Sequence, residues 1–273
     1  CATVMQRSRG TSTPRAAWQA KINTSNAPPV TRNSMNPSVD DVRSFWQSNP
    51  LWSGESRHAP GSAEFFAEHR QVYIDDCFAG AMDERIFPQG RSRERVLDLG
   101  CGPGFWTVEL GQRGCTELWA CDLTDKAIEL ATRRCELYAC QAQFKVGNAE
   151  ALPFDDGWFS HVNCLGVIHH TPDTPATVRE IARVLRQGGT ASVSVYYRNV
   201  LLRGWPLFSF AGRWLRKLGV GLKGRGREAM VDNADVDEIV RLYDGADNPI
   251  GKSYTRQQFV ALLETHFHVR EVY

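Results

Sequence analysis

The sequence predicts an α/β fold with a doubly wound, mostly parallel sheet, and three kinds of stretch predict it. Residues 95–110 read as a strand, a glycine loop and a helix start: Val96, Leu97 and Leu99 are apolar, then Gly100, Gly102 and Gly104 alternate with Cys101 and Pro103, and Phe105 opens a helix. Short, largely apolar runs at 117–121, 144–146, 159–168, 190–197 and 267–273 suit strands, several of them buried on both faces. Helical patterns at 126–139 and 177–185 separate them, and strands alternating with helices build a parallel sheet covered on both sides.

The loop carries the chemistry. Glycines at alternate positions let the backbone turn sharply and let a ligand approach where a Cβ would block it. The N–H groups of the helix start point at that loop. A dinucleotide fingerprint, G-x-G-x-x-G, is excluded, because its third glycine, counted from Gly100, would fall at Phe105. The run from Asp98 through Gly104, acid-x-Gly-x-Gly-x-Gly, resembles the first motif of the class I S-adenosylmethionine (SAM)-dependent methyltransferases. That resemblance implies a Rossmann-like methyltransferase sheet with SAM as cofactor, held by Asp98, Gly100, Cys101, Gly102 and Gly104. SAM has no pyrophosphate for the helix to neutralise, and an acid at the strand tip favours its cationic methionine end.

Farther along, Asp122 ends the next strand, 24 residues after Asp98. A carboxylate there can accept two hydrogen bonds from a ribose diol, the role the family gives this position, and Leu123 would lie against the adenine. The competing reading makes Asp122 the cap of the following helix, a role Thr124 and Asp125 also fit. Residues 147–154 (GNAEALPF) resemble the family's second signature, with Asn148 where Asp is commoner. Its amide can still accept from an adenine amino group, and the Ala149 backbone amide is a further contact. Gly166 and the pair His169-His170 fall at the C-terminal end of strand 159–168, the edge where open parallel sheets bind ligands. A histidine there can take a proton from a substrate heteroatom; alternatively one caps the turn and the other faces solvent. Gln187-Gly188-Gly189 reads as a glycine C-cap.

The outer segments divide the chain. Residues 1–37 hold Arg7, Arg9, Arg15 and Lys21 with Arg32 and no acid, and are rich in Ser, Thr, Asn and Pro; such composition reads as a disordered extension, and also fits an organelle transit peptide over 1–34. Residues 38–90 read as a helical lid, opened by a Ser38/Asp41 capping box. The SAM-binding core spans 91–197. Residues 198–254 read as a cap that selects the substrate, and 255–273 as a closing helix and strand. In 198–227, Arg198, Arg203, Arg213, Arg216, Lys217, Lys223, Arg225 and Arg227 interleave with Trp205, Phe208, Phe210 and Trp214. These could line an apolar pocket, rest peripherally on a membrane, or form a solvated face. Gly251-Lys252-Ser253 is no phosphate loop, since Gly245 stands one place too early. The family's antiparallel last strand has no counterpart after residue 273, so a C-terminally truncated sheet is expected, with an unpaired edge.

Composition narrows the function. With 32 basic and 31 acidic residues, net charge +1, there is no chain-wide nucleic-acid surface. Eight cysteines lack C-x-x-C or paired Cys/His spacing, which argues against a metal site and for a reducing, cytoplasmic setting. The resemblance, closest to the ubiquinone and menaquinone C-methyltransferases, implies in-line methyl transfer to a small molecule, apolar or anionic. The rival readings are a nicotinamide-dependent oxidoreductase and a non-catalytic SAM-binding or lipid-associated module.

Overall fold

In a computed structural model, residues 2–7, 37–90, 93–199, 202, 204, 235–245 and 247–273 are described. In chain order the elements are β1 (Ala2–Arg7), α1 (Val39–Ser48), α2 (Ala63–Phe78), β2 (Arg95–Leu99), α3 (Phe105–Gln112), β3 (Glu117–Asp122), α4 (Asp125–Leu137), β4 (Gln143–Val146), β5 (Phe159–Leu165), α5 (Thr174–Val184), β6 (Leu185–Ser194), β7 (Tyr196–Tyr197), α6 (Val236–Asp244), β8 (Ser253–Tyr254), α7 (Arg256–Leu263) and β9 (Phe267–Val272). Short 3-10 turns lie at Glu84–Ile86 and Ile168–His170.

One sheet runs β4-β3-β2-β5-β6-β1-β9, and β4 through β6 are mutually parallel. β5 sits at its centre and is buried at every residue, which is why its sequence is a continuous run rather than an alternation. On β2 the side chains alternate. Leu97 and Leu99 join the core built with Val178 and Ile181 of α5 and Phe259 and Leu263 of α7. Val96 joins the opposite core, with Ile74 of α2 and Phe105, Trp106 and Leu110 of α3. Each such fully buried side chain stabilises the fold by roughly 1.5–3 kcal/mol. Helix starts follow the sequence signals: Asp41 N–H donates to Ser38 Oγ while the Ser38 N–H donates to Asp41 Oδ2, and Thr255 and Gln258 repeat that box at α7.

Three sequence expectations change, and a fourth falls outside the described residues. The antiparallel strand is present, and it is supplied from the other end of the chain. β1 pairs antiparallel with β6, from Ala2↔Ser194 to Gln6↔Thr190, and with β9, from Thr3↔Val272 to Arg7↔Phe267. Residues 2–7 of the stretch read as disordered therefore form an interior strand, and β6 and β9 meet only through it. Second, α5 stops at Val184 without the glycine cap. Its end residue Leu185 is already extended, and Gly188-Gly189 lie within β6, beside an irregularity in its pairing with β5. Third, β5 ends at Leu165, so the histidine pair sits on a 3-10 turn beyond the strand. The basic and aromatic residues from Arg203 to Arg227 lie outside the described residues, and 236–244 form a helix with Ile239, Val240 and Leu242 buried. Among the described residues no helix is long and apolar enough to cross a membrane.

Candidate active site

A cavity of about 1130 Å³ opens along the C-terminal ends of β2, β3 and β5. Gly100, Cys101 and Gly102 line it, with Asp122, Leu123, Asn148, Ala149, Gly166, His169 and His170. Asp98 and Gly104 do not.

The glycines have different reasons. A Cβ on Gly100, at φ +70, would sit 2.2 Å from Val167 Cγ2, so that glycine admits the turn before the histidines. Gly102, at φ +50, has no atom within 4 Å of where a Cβ would stand; it faces open cavity and leaves the backbone bare toward a ligand. Gly104 packs against Ala131 of α4. The loop's N–H groups are used within the protein. Those of Gly100 and Cys101 donate to the Cys121 carbonyl (2.7 and 3.1 Å), that of Gly102 to Asp122 Oδ2 (3.0 Å), and that of Gly104 to the Cys101 carbonyl (2.9 Å). A loop so engaged offers little to a pyrophosphate, which counts against a dinucleotide.

Asp98 is buried and points away from the cavity. Strand alternation turns it with Val96 toward α3, where Thr107 Oγ1 donates to it at 2.6 Å and Asn163 Nδ2 at 3.2 Å. Burial raises its pKa to about 6 against the opposing pull of those two donors. Its role here is to tie β2 to α3 and β5 behind the loop, which corrects the direct contact expected with the cofactor.

Asp122 lies on the neighbouring strand, at the cavity wall. Burial raises its pKa, opposed by the backbone N–H groups of Gly102 and Thr124. Thr124, not Asp122, caps α4 by accepting from the Ala127 N–H. Asp122 Oδ1 accepts from the Thr124 N–H and hydroxyl, while Oδ2 accepts only from Gly102 among these bonds and keeps a lone pair for a ligand. Asn148 Oδ1 accepts from the Glu150 N–H at 3.0 Å, so its amide also shapes the turn it sits in.

The far end is built from side chains. β6 stops at Ser194 and the chain leaves the main sheet to pair with β8, Tyr196↔Ser253. That swing stacks the Tyr196 ring 4.3 Å from His169. Tyr196 Oη donates to Asp244 Oδ1 at 2.8 Å, and Asp244 Oδ2 lies 3.6 Å from His170 Nε2. His170 Nδ1 is 2.9 Å from the Ile250 carbonyl; a carbonyl only accepts, so Nδ1 carries the proton and Nε2 faces the carboxylate. His169 is pushed well down by burial and by His170, and stays neutral. Trp46 of α1 stands 5.3 Å from His170, and Tyr243 lies 6.2 Å from Tyr196. The sequence reading named the histidines here but neither Tyr196 nor Asp244, and took Trp46 as a packing residue. Lys252 is committed elsewhere: its Nζ donates to the Thr171 and Pro172 carbonyls.

Comparison with known proteins agrees with this geometry. Residues 96–189 match the family described as Methyltransferase domain. The uncharacterized methyltransferase YcgJ of Bacillus subtilis is 32% identical over 120 residues, 39% of this chain and 47% of that protein. A ubiquinone biosynthesis O-methyltransferase of Nitrosomonas europaea is 29% identical over 131 residues, 48% of this chain and 51% of that protein. Thus the chain spans about half the length of these curated relatives. The crystal structure of YcgJ superposes with a TM-score of 0.44 at 21% identity, covering 72% of this chain and 67% of that one. The ubiquinone relative carries an oxygen-methylating name, where the sequence reading leaned to the carbon-methylating branch. The bare backbone at Gly102 and the carboxylate at the tip of β3 fit a sulfonium nucleoside, and residues 96–189 of this chain form a methyltransferase domain with a likeness to a ubiquinone biosynthesis O-methyltransferase.

Proposed function

We propose that the protein methylates a small molecule held at the Tyr196 end of the cavity. The observation that carries this reading is that one cavity of about 1130 Å³ joins the glycine loop to the Trp46–His170–Tyr196–Asp244 cluster. That volume exceeds the roughly 300–1,000 Å³ of a single small-molecule site, leaving room for a second reactant. SAM, when bound, supplies a methyl group already activated on a sulfonium. The protein's task is alignment and exclusion of water. Gly102 and Asp122 hold the nucleoside side. Trp46, Tyr196 and Tyr243 offer apolar ring faces to a flat or apolar acceptor. For a nucleophile that starts as O–H or N–H, His170 Nε2 takes the proton, and Asp244 stabilises the resulting imidazolium. Tyr196 keeps its own proton, because burial and Asp244 raise its pKa. His169 is too strongly held neutral for that role. Residues of α1 and α2 also wall the cavity, and in this reading they act as the lid.

The test is an acceptor screen with methyl-labelled SAM and mass spectrometry of products. Transfer of label to a small acceptor, lost in His170→Ala, is the expected result. SAM binding with no transfer across a broad panel of phenols, amines, thiols and carbon acids would instead support a SAM-binding module.

A further inference from the structure

α2 brings one histidine to the cavity that the sequence reading passed over. His69 is 2% exposed, and its ring lies among Trp52, Tyr73 and Phe105 at centroid distances of 5.8, 5.7 and 5.8 Å. All four residues line the cavity. Behind the ring stands Arg134 of α4, which does not. Arg134 Nη1 is 3.0 Å from His69 Nδ1, and Nη2 donates to the Phe66 carbonyl at 3.2 Å. The guanidinium also lies over the rings of Phe66 and Phe105, at 5.1 and 5.4 Å. Burial lowers its pKa only to about 10, so it remains charged.

A guanidinium has donors and no acceptor. His69 Nδ1 must therefore accept, and the proton of the neutral ring is fixed on Nε2. The ring is neutral, since burial first and Arg134 second push its pKa down to about 3. Nε2 is buried and has no hydrogen-bond partner in the protein. A buried N–H held in place without an acceptor is disfavoured, and this one belongs to a cavity-lining residue. The helix carrying it is fastened down, because Arg70 pairs with the buried Glu109 of α3 at 2.7 Å. Arg113 closes on the same carboxylate at 2.7 Å, so both neighbouring cations are already engaged.

We propose that His69 is a ligand-binding residue whose Nε2–H donates a hydrogen bond to the carboxylate at the amino-acid end of SAM. The assignment rests on the SAM reading above. Asp122 and Asn148 occupy the nucleoside side of the loop. His69 packs on Phe105, the first residue of α3, where the loop runs into that helix. An N–H donor there, with neighbouring cations closed on Glu109, suits a carboxylate.

Two ligands separate the possibilities: S-adenosylhomocysteine, which has the amino-acid end, and 5′-methylthioadenosine, which lacks it. By calorimetry, His69→Phe should weaken S-adenosylhomocysteine about tenfold or more and leave 5′-methylthioadenosine unchanged. His69→Gln keeps one acceptor for Arg134 and one donor, and should recover most of the loss. Equal losses for both ligands, or none for either, would overturn the proposal. In wild-type protein, histidine nitrogen NMR should report the Nε2–H tautomer at His69, and S-adenosylhomocysteine alone should shift that proton downfield. An Nδ1–H tautomer would overturn it even if His69→Phe fails to fold. Binding of neither ligand by the wild type would sink the SAM reading itself, a result distinct from the selective failure at His69.

Discussion

The two ends of the cavity are made of different material. At the cofactor end the walls are backbone and strand tips: residues 100–103 after β2, Asp122 closing β3, and 147–149 after β4. At the end proposed for the acceptor they are side chains from separate elements: Trp46 from α1, His169 and His170 from a 3-10 turn, Tyr196 from β7, and Tyr243 and Asp244 from α6. A backbone site needs only particular residues at a fixed spacing along one strand–loop–helix unit. A side-chain site needs several distant pieces of chain to be packed at the right depth. This is why the first end keeps a motif, while the second is recognised only after folding.

The largest expected effect tests the acceptor end. His170→Ala should lower turnover of a protonated acceptor by about 10²–10⁴-fold, with S-adenosylhomocysteine affinity in calorimetry unchanged. A parallel loss of affinity would mean that the two ends are not separable. At the other end Asp122→Ala should weaken S-adenosylhomocysteine by about a hundredfold. It removes the proposed ligand contact and also the acceptor that fixes Gly102 and Thr124. Circular dichroism should show the fold retained, and unaltered affinity would refute the ribose assignment.

Deleting residues 1–7 should lower the melting temperature by roughly 5–10 °C or more. The deletion strips β6 and β9 of their common partner and leaves open edges. An unchanged melting temperature would show that β1 does not hold that side of the sheet.

The smallest effect on binding is expected at Asp98→Asn, within about threefold for S-adenosylhomocysteine, because Asp98 faces α3 rather than the cavity. Its signature lies in stability against pH. The folded-state pKa of about 6 lies above the value of 3.8 for an unperturbed group. Below pH 4 both folded and unfolded chains bind the proton. As pH rises toward 6 the unfolded chain loses it while the folded chain keeps it, so stability falls by about 3 kcal/mol and then levels off. The Asn variant should lack that slope in urea unfolding at pH 4, 5 and 6. Identical slopes would mean that folding leaves the Asp98 pKa unshifted.

Much of the core was legible before any coordinates. The capping box at Ser38, the helix cap at Thr255, the strand at 95–99 and the start of β5 at Phe159 each carry a local physical signal, and each forms where that signal lies, although β5 stops three residues short of the expected Ile168. Asp98 shows where local reading stops. Its place in the motif suggested a ligand contact, but strand alternation turns the side chain to Thr107. His69 gave no signal at all, because its tautomer is fixed by Arg134, which stands 65 residues away in the chain. The glycine pair after α5 carried a misleading one, since a glycine of positive φ serves a strand irregularity as readily as a helix end.

By itself the sequence determined the strand–loop–helix unit, the bare backbone at the loop and the acid at the next strand tip. These depend on residues within a few places of one another, where steric limits and pairing chemistry act directly. Tertiary structure alone decided which strand fills the antiparallel slot, which nitrogen of His69 carries its proton, and which carboxylate faces His170. Those outcomes rest on contacts between segments remote in the chain: residues 2–7 between 185–194 and 267–272, α2 against α4, and α6 against the turn after β5. A short edge segment shows no sign of its partner until the sheet it completes exists, and a buried donor reveals its need for an acceptor only once water has been excluded from it.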